Sequence, residues 1–489
     1  MRSCGILMHI TSLPSPYGIG TFGTEAERFA DWLKSAGQKY WQVLPIGPTG
    51  YGDSPYQPFS SFAGDPLLID IDELAENGYL AKKSVADADY GADPTFVDYD
   101  KIRAVKTALL KEAFTGFTDD VGYTSFIMDE QDWLDDYALF AALKDKFGGR
   151  SWTEWDEDIK FRKPEAIKKW TDELRDEIKF QKFVQYIFWR QWDRLHRYCN
   201  KNGVQIIGDI PIYVSPDSAD VWAQPELFEL DEKRDPKRVA GVPPDLFSAT
   251  GQLWGNPLYN WEEMHKTGYK WWLKRVGKSR ENYDMLRIDH FRAFDTYYAI
   301  PFGDKTAEHG VWEKGPGMEL FNAIKNDLGD VNIIAEDLGD IFDSVKKLLK
   351  DTGFPGMRVL QFGFNPDNTD NDHLPHNYPV NCCAYTGTHD NMPVMQWYRE
   401  ADSASRQMAK RYLNKGLFEK FNSCCIRAVY ASPAQLAVIP MQDILGLGRE
   451  SRMNLPSTVG GNWRWRMLPG KTTDKLAAKL NSLVVTYFR

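Results

Sequence analysis

In the stretch Asp284-Met285-Leu286-Arg287-Ile288-Asp289-His290-Phe291-Arg292, a short apolar run ends in a carboxylate. A strand over residues 284–288 puts Arg287 and Asp289 on one face, since side chains two apart point the same way. A cation there favours the ionised form of Asp289. An acid directly after a β-branched run is costly to bury unpaired, yet the pattern recurs. Asp209 ends Ile206-Ile207-Gly208, Glu336 ends Ile333-Ile334-Ala335, and Asp390 follows Tyr385-Thr386-Gly387-Thr388-His389. One such acid could cap a helix. Four at the same end of four strands imply a shared mouth.

Working outward, residues 5–9, 40–44, 204–208, 284–288, 331–335, 357–362, 382–385 and 436–439 read as eight strands, separated by helical patterns. The clearest helix spans residues 25–36. Thr24 and Glu27 suggest a capping box, Ala26, Phe29, Ala30 and Leu33 form one apolar face, and Gly37 marks the stop. Strands alternating with helices predict parallel pairing, and eight units predict an α/β fold, a (β/α)8 TIM barrel. Strand ends at one mouth are where such barrels carry catalytic groups.

The spacing is uneven. Too much chain lies between residues 44 and 204 for a loop. Residues 72–190 are dense in charge and helical pattern, so they are expected to form an inserted, mainly helical subdomain. Residues 1–71 and 191–489 then make the barrel, with an excursion rich in Pro, Gly and aromatics, about residues 214–283, lying as long loops over one face.

Composition narrows function. The 489 residues are 43% hydrophobic, which argues against disorder, and carry a net charge of −10, which argues against a general nucleic-acid binder. No apolar run reaches the ~18 residues of a membrane span, and the N-terminal stretch lacks a secretory pattern. Six cysteines include the vicinal pairs Cys382-Cys383 and Cys424-Cys425 but no C-x-x-C. They read as small buried hydrophobes in a cytoplasmic protein. Gly18-Ile19-Gly20-Thr21-Phe22-Gly23 matches G-x-G-x-x-G, but Thr11-Ser12-Leu13-Pro14-Ser15-Pro16-Tyr17 intervenes after its strand. The second strand ends Gln42-Val43-Leu44-Pro45, with no ribose-binding acid. It is expected to be a glycine-shaped loop, and no cofactor is expected.

Several carboxylates in one mouth suit two chemistries. Metal catalysis would need His and acid ligands at defined spacing. His290 and His389 stand beside acids, but no such spacing occurs, and no metal is expected. Glycoside chemistry needs a paired nucleophile and acid/base. The 17 Trp, 23 Tyr and 27 Phe favour sugar, whose rings stack on aromatic faces. Tyr56, Trp254, Trp463 and Trp465 lie among Gly, Pro and Asn, as loop residues do.

The motifs resemble those of the amylomaltases, or 4-α-glucanotransferases, of the α-amylase clan. They run nearly end to end: Ser12-Leu13-Pro14-Ser15, Ser54-Pro55-Tyr56-Gln57, Gly208-Asp209-Ile210-Pro211, Gly241-Val242-Pro243-Pro244-Asp245 through Trp254-Gly255-Asn256-Pro257, Arg287 to Arg292, Ala335-Glu336-Asp337-Leu338-Gly339, Thr386 to Asn391, and Asn454 through Asn462-Trp463-Arg464-Trp465-Arg466. Ala293 stands where many relatives have Gly. The resemblance implies Asp289 as nucleophile, Glu336 as general acid/base and Asp390 as transition-state stabiliser. Arg287 and His389 would support them and Asp209 would bind substrate. Tyr56, Asp245, Gln252, Trp254, His290, Asn391 and Asn462 would line the sugar subsites. The implied reaction is retaining transfer between α-1,4-glucans, with glucose as a further acceptor and carboxyl groups ~5–5.5 Å apart. An amylase-type hydrolase shares the same acids. A non-catalytic glucan binder and a metal-dependent barrel enzyme are weaker alternatives.

Overall fold

The computed structural model describes residues 2–244, 248–339, 341–368 and 370–489. Its strands are β1 (Ser3–Leu7), β2 (Tyr40–Gln42), β3 (Gln205–Pro211), β4 (Arg238–Val242), β5 (Gln252–Pro257), β6 (Met285–Asp289), β7 (Thr296–Pro301), β8 (Val311–Lys314), β9 (Ile333–Ala335), β10 (Gly356–Val359), β11 (Cys382–Tyr385) and β12 (Leu436–Pro440). Eight of them close a parallel barrel in the order β1-β12-β11-β10-β9-β6-β3-β2. This is a (β/α)8 barrel, and the apolar runs that predicted it are buried on both faces, as in β11 and β12.

Boundaries moved in instructive ways. Asp209 lies inside β3 rather than after it. Its neighbour Gly208 is demanded by packing, because a Cβ there would sit 2.3 Å from the Tyr283 ring. The strand expected through residue 362 stops at Val359, and Leu360–Gly363 is a helical turn. The first helix, Thr24–Ser35, has no capping box. Gly23 is its N-cap, with no side-chain cap. A side chain at 23 would collide with the Asp70 carboxyl, so Glu25 and Glu27 serve its positive end only electrostatically.

Between β2 and β3 the chain is mainly helical, with long helices at Tyr99–Gly116, Gln131–Lys146 and Arg175–Lys201. The last crosses residue 190 unbroken and packs on β3 and the first helix as well as on Gln131–Lys146. Buried polar side chains lock these helices to residues 60–71. Gln185 Nε2 donates to Gly64 O at 2.9 Å and its Oε1 accepts from Gly64 N at 2.8 Å. Gln191 pairs the same way with Asp70, and Lys106 Nζ donates to Leu67 O and Ile69 O, both at 2.7 Å.

The excursion expected as long loops contains ordered sheet. β5, β4, β7 and β8 form a four-stranded antiparallel sheet that draws in segments beyond residue 283. Trp254 and Gln252 are therefore strand residues on β5, not loop residues. The G-x-G-x-x-G segment is a tight loop after β1, where a Cβ on Gly20 would strike Ile10 O at 1.9 Å. No helix among the described residues is long and apolar enough to cross a membrane.

Candidate active site

Parallel register builds the centre. β3 pairs with β6 so that Asp209 lies beside Arg287 and Pro211 beside Asp289. β6 pairs with β9 so that Ile288 lies beside Ala335. One residue on, Glu336 N donates to Ile288 O at 3.1 Å, and Phe291 N donates to Glu336 O at 3.0 Å. The backbone ladder thus sets Glu336 next to Asp289 at the strand tips.

Arg287 is the hub. Its Nη1 donates to both Asp209 oxygens at 2.8 and 2.7 Å, and its Nη2 donates to Asp289 Oδ1 at 2.7 Å. Its Nε faces Met357 Sδ at 3.5 Å. Burial alone would lower the guanidinium pKa, but Asp209 and Asp289 together hold it well above its usual range. Burial pushes Asp209 upward, opposed by Arg287 and by the Tyr56 hydroxyl, which donates to Oδ2 at 2.8 Å. Asp289 keeps about a third of its side chain open, 29%, whereas Arg287 has 3%.

Glu336 is buried and accepts two backbone hydrogen bonds, from His290 N to Oε2 and from Leu338 N to Oε1, both at 2.7 Å. Those bonds and Arg287 favour the carboxylate, yet burial and the charge on Asp289 win and push Glu336 up to about 8. Each oxygen retains a second lone-pair position, so a proton can be held there and aimed into the cleft. His290 adopts the left-handed conformation at φ 55°, which turns its N–H onto Glu336. Its ring meets the half-buried Trp254 edge-on at 4.7 Å. Burial and Arg292 depress its pKa to about 3, so it is neutral.

Asp390 comes five residues after β11, in a loop. His389 Nε2 lies 3.4 Å from its Oδ2, and Asn454 Nδ2 donates to its Oδ1 at 2.7 Å. Arg452 Nη2 donates to its carbonyl at 3.2 Å. Tyr56 stacks on His389 at 5.0 Å, and Trp463 tilts against both rings. The loop is clamped at both ends by Asp443, which accepts from Thr386 Oγ1 at 2.5 Å and from Val394 N at 2.8 Å.

The remaining expected residues separate into two groups. Gln252 accepts from Trp254 Nε1 at 3.2 Å, so those two act together. Asn391 accepts from Thr388 N and Oγ1 and so shapes its own turn. Asn462 accepts from Leu455 N and donates to Thr458 O and Oγ1, folding the loop that carries Asn454. Asp245 lies outside the described residues. Asp443, Asn454, Arg452 and Met357 had no assigned role in the sequence. The vicinal cysteines are buried in strand and helix. No three His, Cys, Asp or Glu side chains gather as a metal-holding group among the described residues.

Residues 8–472 match a family profile described as 4-alpha-glucanotransferase. A 4-alpha-glucanotransferase of Clostridium butyricum is 49% identical over 486 residues, covering 99% of this chain and 100% of that one. One from Thermus thermophilus is 46% identical over 495 residues, covering 99% and 98%. The solved amylomaltase from Streptococcus agalactiae in complex with acarbose is 42% identical, with a TM-score of 0.98 over 100% of both chains. The chain belongs to the 4-alpha-glucanotransferase family.

Proposed function

We propose that this chain transfers α-1,4-glucan segments with retention, using Asp289 and Glu336 as the reacting pair. The observation that carries this is the β6–β9 register, with Glu336 beside Asp289 and raised to about 8 while Arg287 holds Asp289 Oδ1. With Oδ1 engaged, Oδ2 of Asp289 attacks the anomeric carbon. Protonated Glu336 gives its proton to the departing 4-oxygen as the glycosidic bond breaks. A glycosyl ester on Asp289 forms. Ionised Glu336 then takes the proton of an acceptor's 4-hydroxyl, that oxygen attacks the anomeric carbon, and Asp289 leaves. Two inversions give retention.

Asp390 and His389 grip sugar hydroxyls as the ring flattens toward the oxocarbenium-like transition state. Asp209 holds Arg287 in place from the barrel interior, and Tyr56 shields that pair. Trp254 and Gln252 face the sugar on the side of His290. Asn391, Asn462 and Asp245 complete the subsites, the first two by shaping loops. Transfer outpaces hydrolysis because the aromatic walls hold a sugar acceptor and exclude water. We assign the helices of residues 72–190 and the four-stranded sheet to that enclosure. Malto-oligosaccharides are donors, glucose and other glucans acceptors, and the cytoplasm the setting.

Incubation of the pure protein with maltotriose tests the reading. A ladder of longer oligosaccharides plus glucose is expected. Maltose and glucose without longer products would instead identify a hydrolase.

A further inference from the structure

The strand that carries Glu336 is held unevenly by its two neighbours. β9 pairs with β6 at Ile333, Ile334 and Ala335. That ladder runs on into the acid itself, through Glu336 N to Ile288 O at 3.1 Å and Phe291 N to Glu336 O at 3.0 Å. Toward β10 the register among the described residues is Ala335 beside Gly356 alone, with Ala335 N donating to Pro355 O at 2.9 Å. Pairing on that side thins out one residue before the acid.

Asp337 supplies a tie at this point. It is 9% exposed. Its Oδ1 accepts from Met357 N at 2.6 Å, and its Oδ2 accepts from Arg358 Nη1 at 3.1 Å. Arg358 Nη1 also donates to Met357 O at 2.7 Å, so one carboxylate grips both the backbone and a side chain of β10. The strand leaves a seat for it: a Cβ on Gly356 would lie 2.6 Å from Oδ2 and 2.8 Å from Oδ1. Keeping a carboxylate there is costly, since burial raises its pKa against the pull of Arg358. Nothing in the transfer chemistry described above uses it.

What the seat holds follows from the order of residues. Asp337 lies between Glu336 and Leu338, and Leu338 N donates to Glu336 Oε1 at 2.7 Å. Fixing residue 337 to β10 therefore fixes the backbone that carries the acid on one side. On the other it fixes the N–H that orients the acid's carboxyl. The other described partners of Glu336 are His290 N at Oε2 and the charges on Asp289 and Arg287, which come from β6 and its following turn. Without Asp337 the acid would be tethered from that side, and a misplacement of ~1 Å costs on the order of 10²-fold in rate.

We propose that Asp337 is a positioning residue, a side-chain anchor to β10 that keeps Glu336 aimed at the departing 4-oxygen. The inference rests on the glucan-transfer reading above. Its test compares Asp337→Ala, Asp337→Asn and Gly356→Ala with the parent protein. Alanine at 337 removes the anchor. Asparagine keeps an oxygen for Met357 N but loses the charge. Gly356→Ala keeps the acid and fills its seat. Each is assayed for kcat on maltotriose and for single-turnover release of fluoride from α-maltotriosyl fluoride, whose leaving group needs little protonation. The pH dependence of kcat/KM is recorded beside these, with melting temperature as a folding check. Asp337→Ala and Gly356→Ala are expected to lose about 10²-fold on maltotriose, with a loss on the fluoride at least ~10-fold smaller. Their alkaline limb should move to lower pH as water reaches Glu336. Asp337→Asn is expected to regain ~10-fold or more on maltotriose, the worth of one retained hydrogen bond, and to restore the limb toward its parent position. Equal losses on the two donors would overturn the proposal, since they would mark a general structural role. So would an asparagine variant that matches alanine in rate and limb, which would mark an effect of charge alone, and so would parent-like kinetics in Gly356→Ala. If Asp337→Ala does not fold, Gly356→Ala against Asp337→Asn decides on the same criteria. Failure of the underlying reading shows elsewhere: a parent protein that makes no longer oligosaccharides from maltotriose, or a Glu336→Gln control that loses as much on the fluoride as on maltotriose, overturns that reading and this inference with it.

Discussion

Asp289 and Glu336 stand on neighbouring parallel strand tips, while Asp390 stands in a loop after β11. The first two are placed by the barrel's backbone ladder, in which every residue's position follows from its register. The third has no ladder. Asp443 clamps its loop at both ends, and Asn454 and Arg452 hold Asp390 itself from a second loop. The side chain of Asp390 is also the more open, 41% against 29% for Asp289. The groups assigned to make and break bonds are thus fixed to the rigid frame. The group assigned to grip sugar hydroxyls is held by side chains, whose removal should loosen it without disturbing the barrel.

The largest expected effect removes a reacting group outright. Asp289→Asn should lower kcat for transfer at least ~10⁴-fold, and Glu336→Gln by ~10²–10⁴-fold. Melting temperature should not collapse in either, and the Glu336→Gln loss should be smaller for donors with an activated leaving group, which needs no proton. An equal loss for activated and natural donors would remove Glu336 from the acid role.

Next comes the hub. Arg287→Met leaves Asp209 buried with no cation and should cost about 3–5 kcal/mol of stability, as broken buried pairs do, along with most activity. Chemical denaturation reads this. A loss under ~1 kcal/mol would mean that the Arg287–Asp209 pair is not the frame it is taken for. On the loop side, Asn454→Ala removes one hydrogen bond to a charged carboxylate, worth about 1.5–3 kcal/mol. If that bond serves mainly the transition state, kcat falls about 10- to 100-fold with little change in melting temperature. Asn454→Asp, which faces Asp390 with a like charge, should be worse than alanine. A stability loss in Asn454→Ala as large as that of Arg287→Met would erase the distinction between frame and loop.

The same distinction explains what could be read from the chain. Barrel strands announce themselves locally: β-branched residues run together, and the acid that ends them stands out because burial makes it expensive. Asp209, Asp289 and Glu336 were legible for that reason. The four-stranded sheet was not. β4 and β5 are short and carry Gly and Pro, and β4, on which β5 pairs, is joined to the rest of the sheet through β7, far along the chain. The clamps were hidden by distance as well. Asp443 meets Thr386 across 57 residues, and Asn454 meets Asp390 across 64. Nothing within either local stretch indicates the partner. The capping box failed for a tertiary reason, since the carboxyl of Asp70 occupies the space that a side chain at residue 23 would need.

The smallest effect concerns the proton on Glu336, and it separates the two regions by pH. Burial and Asp289 raise this carboxyl from 4.5 to about 8 in the folded protein. Between those values the folded state keeps a proton that the unfolded chain has lost. The native state then binds more protons, so stability falls as pH rises through that window and levels off above it. Glu336→Gln has no proton to lose. The melting-temperature difference, variant minus parent, should therefore widen as pH rises from about 5 to 8 and then stay constant. Activity should follow the same ionisation: kcat/KM on maltotriose falls as pH rises through about 8, because the acid that protonates the leaving oxygen is then spent. Asn454→Ala, acting on the loop-held Asp390, should lower the whole profile without moving that alkaline limb. A limb that shifts in Asn454→Ala would mean that the loop reaches Glu336 electrostatically, and the frame and the loop would then have to be treated as one coupled site.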